Sequence, residues 1–71
     1  MRGSKPKYIQ HELSKLIGEA ISKDIIDPGD VEDYLLNEGW TWELPSRQTI
    51  INILNKNHVE YISGYWSKVK G

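Results

Sequence analysis

The sequence contains no cysteine, which excludes disulfide staples, thiolate zinc sites and a thiol nucleophile. Its two histidines, His11 and His58, are too few for a zinc site without carboxylate ligands. No apolar run approaches the roughly 18 residues of a membrane span, and there is no signal-peptide core. Repeats, low-complexity tracts and linkers are missing, as are glycine-rich phosphate loops, nucleophile elbows and calcium-loop spacings. In 71 residues there is room for one small core but hardly for an enclosed substrate pocket. These absences lead to the expectation of one soluble, cytoplasmic domain over residues 1–71, with residues 1–5 a disordered leader. It is expected to bind rather than catalyse, with no catalytic residue, no metal and no cofactor.

What is present is an ordinary globular balance, 38% hydrophobic and 27% charged residues, too apolar for a disordered tail. The net charge of −1 conceals a segregation along the chain. Residues 24–44 hold Asp24, Asp27, Asp30, Glu32, Asp33, Glu38 and Glu43 with no cation. Lysine and arginine exceed carboxylates on both sides of that stretch, through Arg2, Lys5, Lys7, Lys15 and Lys23 before it and Arg47, Lys56, Lys68 and Lys70 after it. Such a distribution permits a basic face opposite an acidic one, or simply a well-solvated small domain.

Three helices and a hairpin are legible. A first helix is expected from near Pro6, with Ile9, Leu13, Leu16, Ile17, Ala20 and Ile21 recurring at three and four residues to form one apolar stripe. Asp27-Pro28-Gly29-Asp30 reads as the start of a second, acidic helix over 28–38, with Val31, Tyr34 and Leu35 inward and Gly39 as its stop. Trp40-Thr41-Trp42-Glu43-Leu44 alternates bulky and polar residues as a short strand does, closed by Pro45. A third helix spans 46–57, from the N-cap Ser46 to a left-handed stop at Asn57. At about 100° per residue, Ile50, Ile51, Ile53 and Leu54 share one side of it, and Gln48, Thr49, Asn52, Asn55 and Lys56 the other. Apolar residues on either side of Ser63-Gly64 predict a hairpin over 59–69, pairing Tyr61 with Trp66 and Ile62 with Tyr65. Both hairpin faces carry apolar residues, so the pattern leaves the buried one open. The fold class is therefore α+β, mostly α.

The segment Ser46-Arg47-Gln48-Thr49-Ile50-Ile51-Asn52-Ile53-Leu54, followed by a hairpin, resembles the recognition helix of the winged helix-turn-helix superfamily. There a small N-cap precedes Arg, a polar residue, Thr and β-branched core residues. The resemblance covers residues 27–69. Leu44-Pro45-Ser46-Arg47 is also similar to a motif of the GntR type, where it opens the helix before the recognition helix. Here it opens the third helix itself, and no membership of that type is inferred. The connection from Gly39 to Ser46 is also longer than the tight turn of a simple helix-turn-helix.

The resemblance implies a small sequence-specific domain for double-stranded DNA, a transcriptional regulator or architectural factor of bacterial or phage type. The third helix would read the major groove, and the hairpin the backbone or minor groove. The residue chemistry agrees with that implication. Asparagine and glutamine carry a donor beside an acceptor, matching the N6/N7 edge of adenine, and arginine offers a fork for guanine or phosphate. Arg47, Gln48, Thr49, Asn52, Asn55 and Lys56 form the expected reading surface, with Tyr65, Lys68 and Lys70, and also Ser63, at phosphates along its edges. Lys5 and Lys7 supply a basic arm. A homodimer is compatible with the small footprint of one such domain. The alternative is a protein-interaction module or inhibitor that uses the acidic helix 28–38 and an exposed Trp40 or Trp42. The plain reading of the tryptophans is core, of His11 solvation, and of His58 a residue ending the third helix.

Overall fold

A computed structural model describes residues 9–69. Three helices, α1 (Gln10–Ser22), α2 (Pro28–Asn37) and α3 (Arg47–Lys56), lead into a hairpin of β1 (Val59–Ile62) and β2 (Tyr65–Lys68). The architecture is α+β and mostly helical, with the strands paired as one antiparallel two-stranded sheet. The three helices pack against one another pairwise, and β1 lies against α3.

The core follows from the apolar periodicity. Leu13, Ile17 and Ala20 of α1, Val31, Tyr34 and Leu35 of α2, and Ile50, Ile53 and Leu54 of α3 are buried in one cluster with Trp40 and Val59. Leu16, Ile21, Ile25, Ile26, Trp42 and Trp66 pack around it. No charged side chain is buried among the described residues, so the cluster is held mainly by apolar burial, with the Tyr34 hydroxyl donating to Glu19 Oε1 at 3.4 Å at its edge.

Helices α2 and α3 begin with a side-chain cap, which α1 lacks at Ile9, and all three end by local chemistry. The Asp27 carboxylate accepts from the Gly29 N–H at 2.8 Å, and Pro28 takes the first helical position, where no N–H is needed. The Ser46 hydroxyl accepts from the Thr49 N–H at 3.1 Å. All three exits pass through a left-handed residue, Asp24 (φ 65°), Gly39 (φ 84°) and His58 (φ 63°). After α1, Ile25 N–H reaches back to Ala20 O at 2.9 Å and Asp24 N–H to Ile21 O at 2.9 Å. After α2, Trp40 N–H reaches Leu35 O at 3.0 Å and Gly39 N–H reaches Leu36 O at 3.1 Å. These are Schellman closures, which satisfy carbonyls that the helix leaves free. In every case the residue after the left-handed one is apolar and turns inward: Ile25, Trp40 and Val59.

Those exits correct several expectations. The segment 40–44 is not a strand. Its alternation suits a sheet, but the two strands of the hairpin pair only with each other, and Trp40 is already committed as the closing residue of α2. The Trp40 indole N–H donates to Glu43 O at 3.2 Å, folding the segment into a loop. The left-handed stop of α3 is His58, one residue beyond Asn57, which keeps φ −100° and donates its side-chain amide to Ile53 O at 2.8 Å. Ile9 is extended and more than half exposed, so α1 starts at Gln10 and the stripe begins at Leu13 rather than Ile9. Pro6 and the leader lie outside the described residues.

The hairpin register is Val59 with Lys68, Glu60 with Ser67, Tyr61 with Trp66 and Ile62 with Tyr65. Ser63 (φ 54°) and Gly64 (φ 91°) both lie in the left-handed region, as a two-residue turn with the twist of the strands requires. Val69 N–H extends the ladder to His58 O at 2.6 Å. Directly paired residues share a face, so Val59, Tyr61, Trp66 and Lys68 lie on one side and Glu60, Ile62, Tyr65 and Ser67 on the other. Val59 is fully buried and Trp66 partly so, which makes the first face the one turned to the core.

Candidate nucleic-acid interface

The candidate surface is built on α3, whose inward stripe of Ile50, Ile53 and Leu54 fixes what points out. Gln48, Asn52 and Asn55 fall within about 60° of one another on the helical wheel, opposite that stripe. All three are exposed. From Gln48 to Asn55 the helix rises about 10 Å, close to three base-pair steps. Arg47 at the N-terminal end and Lys56 at the C-terminal end are exposed as well. The helix itself carries no acidic residue.

Two hydrogen bonds organise this surface. Gln48 Nε2 donates to Asn52 Oδ1 at 2.9 Å, joining two amides one turn apart. The Thr49 hydroxyl lies 2.9 Å from that of Ser46, within the N-cap, and Thr49 is only half exposed. Thr49 thus sits at the margin of the surface, engaged in starting the helix.

The hairpin contributes less charge than its sequence implies. Lys68 Nζ lies 2.6 Å from Asp24 Oδ1 and donates to it, tying β2 to the exit of α1. This pair, 44 residues apart in sequence, is invisible to any local pattern. It is open to water at both ends, so its contribution to stability is small, about 1 kcal/mol at most. Around the turn, Tyr61, Ile62 and Tyr65 are exposed at 61%, 43% and 65%, and no charged residue stands between Glu60 and Lys68. The Tyr61 ring meets Trp66 edge-on at 5.4 Å. Ser63 is exposed in the turn. Lys70, Lys5 and Lys7 lie outside the described residues.

The acidic side is equally well placed. Asp30, Asp33 and Glu38 are exposed on α2 and at its end, and Glu32 is half exposed. Lys23 lies 5.3 Å from the centre of the Tyr34 ring. Its hydrogen bond to Tyr34, then the charges of Tyr34, Glu38 and Glu19, hold its pKa above the ordinary lysine value. Trp40 is buried, while Trp42 and Trp66 are half exposed. Trp42 meets Trp40 edge-on at 4.8 Å, which makes it the lid of the core rather than a free platform. Among the described residues no three His, Asp or Glu side chains are grouped to hold a metal, and no helix is long and apolar enough to cross a membrane.

No protein-family model, curated protein or solved structure matches the chain.

Proposed function

We propose that this chain is a small sequence-specific DNA-binding domain of the winged helix-turn-helix kind, acting inside the cell as a regulator or architectural factor on double-stranded DNA. In this reading α3 enters the major groove. Asn52, Gln48 and Asn55 meet base edges there, while Arg47 and Lys56 meet phosphates at the two ends. The hairpin, which leaves α3 through the single turn at His58, lies along the backbone or minor groove with Ser63 and Tyr65 outward. Lys70, Lys5 and Lys7 add cations from the two ends of the chain.

The observation that carries the reading is the exposure of three amide side chains in one sector of α3, flanked by cations and free of acids. Lys offers only donors to a base edge and ionised Glu only acceptors, whereas an amide sets a donor beside an acceptor. Amides at groove spacing are the side chains suited to reading adenine. The acidic surface of α2 would point away from the duplex.

The alternative, a protein-interaction module using the acidic helix, keeps its exposed carboxylates; of its two indoles Trp40 is buried, and Trp42, half exposed, packs edge-on against it.

Titration of short duplexes at two salt concentrations tests the proposal. Binding is expected to weaken with salt at a log–log slope of about −0.9 for each phosphate contact. Absence of binding at low salt ends it.

A further inference from the structure

We infer that the tip of the hairpin, led by Ile62, is an apolar wedge that enters the minor groove, parts one base step and bends the duplex. This inference rests on the DNA-binding reading above and deepens it by giving the hairpin a target of its own.

Charge and apolar surface are separated along the hairpin. Its two charged residues, Glu60 and Lys68, stand towards its base. Lys68 is held by Asp24, and the exposed Glu60 repels a phosphate. Beyond them, Tyr61, Ile62 and Tyr65 are exposed around the Ser63-Gly64 turn. Such a ribbon gains little by lying along the phosphates, because its outer half has no cation to offer them. The groove remains. The minor groove is about 6 Å wide, whereas a strand pair with side chains on both faces is about 10 Å thick. An undeformed groove therefore refuses it. Apolar side chains inserted between base pairs unstack a step and kink the duplex away from the minor groove, which opens it.

Ile62 and Tyr65 pair directly beside the turn, on the face away from the core, and neither belongs to the core cluster. Ile62 has no polar side-chain atom and gains from contact with bared base faces. Tyr65 adds a ring beside it and a hydroxyl for the groove edge. The wedge is braced from behind. Tyr61 meets Trp66 edge-on at 5.4 Å, and Trp66 packs against the core. Val59 is fully buried one residue after the left-handed exit of α3 at His58, so the ribbon is anchored to the helix assigned to the major groove. Four strand residues rise about 13 Å, of the same order as the half-turn of about 17 Å between neighbouring grooves. This continuity with α3 favours the duplex over a separate protein as the occupant.

The test uses the whole chain, at saturating concentration, on a duplex that the wild type selects from a randomised pool. The duplex carries an energy-transfer pair at its ends and 2-aminopurine at successive adenines. With the wild type, the ends are expected to draw together as a bend of about 20° or more requires, and one 2-aminopurine to brighten several-fold as its step unstacks. Ile62→Ser is expected to stay bound through α3 while losing most of the bend and the brightening. Its thermal unfolding is expected to stay near that of the wild type, since Ile62 is exposed. Ile62→Leu keeps an apolar side chain of the same size and is expected to keep both signals. A mismatch at the brightened step removes stacking beforehand. The wild type is expected to bind that duplex about tenfold or more tighter than the paired one, and Ile62→Ser no more than about twofold tighter.

A straight duplex under bound wild type overturns the inference, and so do equal bends with wild type and Ile62→Ser. Either result leaves the DNA-binding reading in place and turns the exposed tip over to a protein partner. Failure of the wild type to bind any duplex at low salt removes the DNA-binding reading and this inference with it.

Discussion

Helices α2 and α3 are built on one plan and carry opposite outer surfaces. Both are ten residues long and begin with a side-chain cap, Asp27 in one and Ser46 in the other. Both bury their fourth, seventh and eighth residues, Val31, Tyr34 and Leu35 against Ile50, Ile53 and Leu54. Both leave through a left-handed residue directly after the C-cap, Gly39 or His58. The outward positions then diverge. The second residue is Gly29 in α2 and Gln48 in α3, the sixth Asp33 and Asn52, the ninth Leu36 and Asn55, the last Asn37 and Lys56. Packing demanded the same three inward positions from each helix and left the outward chemistry unconstrained. The difference between an acidic face and an amide face is therefore where function is to be sought.

The comparison breaks first if the inward equivalence is false. Leu35→Ala and Leu54→Ala occupy matching positions in fully buried surroundings, and each is expected to cost about 2–5 kcal/mol, close to the whole stability of a domain this size. Urea unfolding followed by tryptophan emission measures both. A loss below about 1 kcal/mol in one alone would show that the two helices share a pattern but not a role.

Transfer of charge between the outer faces comes next. Asn52→Asp gives α3 the carboxylate that α2 carries at its sixth position, so binding to every duplex is expected to fall by at least 1–3 kcal/mol, with thermal stability nearly unchanged because the site is exposed. Asp33→Asn in α2 is expected to leave duplex binding within about twofold of the wild type. Equal responses to the two substitutions would dissolve the contrast.

The plan was largely readable from the residues because its determinants are local. Pro28 after Asp27, Ser46 ahead of Thr49, and the spacing of Ile50, Ile53 and Leu54 need no distant partner to act. The hairpin register likewise follows from Ser63-Gly64, whose two positive φ angles permit a single pairing. Where a distant partner decides, local pattern misleads. Trp40 to Leu44 alternates like a strand, yet no strand is free to pair with it. The choice of hairpin face depended on how Val59 leaves α3, and the ion pair of Lys68 with Asp24 on how β2 returns past α1. At the candidate surface, the exposure of Gln48, Asn52 and Asn55 followed from the wheel. The engagement of Thr49 with Ser46 followed from cap geometry finer than the wheel resolves.

Smaller effects sharpen the likeness of the two starts. Asp27→Ala and Ser46→Ala are each expected to destabilise by about 1 kcal/mol, measured by thermal unfolding, since each leaves a first-turn N–H without its partner.

The smallest expected effect concerns the hairpin. Asp24→Asn keeps a residue tolerant of the left-handed backbone and removes the charge that holds Lys68. Stability is expected to change by less than about 1 kcal/mol, while duplex affinity at low salt rises by a few fold as Lys68 becomes available to phosphate. Parallel titrations of wild type and variant measure it. Unchanged affinity would place Lys68 away from the duplex.

The left-handed exits also govern where this chain can tolerate added length. Each exit sets in one step the last helical residue and the side chain that enters the core, so an insertion between Gly39 and Trp40, or between His58 and Val59, would displace the anchor on which the next element hangs. In the loop that follows, Glu43 O still holds the Trp40 indole N–H and Trp42 still covers the core, so added length is borne best beyond them, at the exposed Leu44.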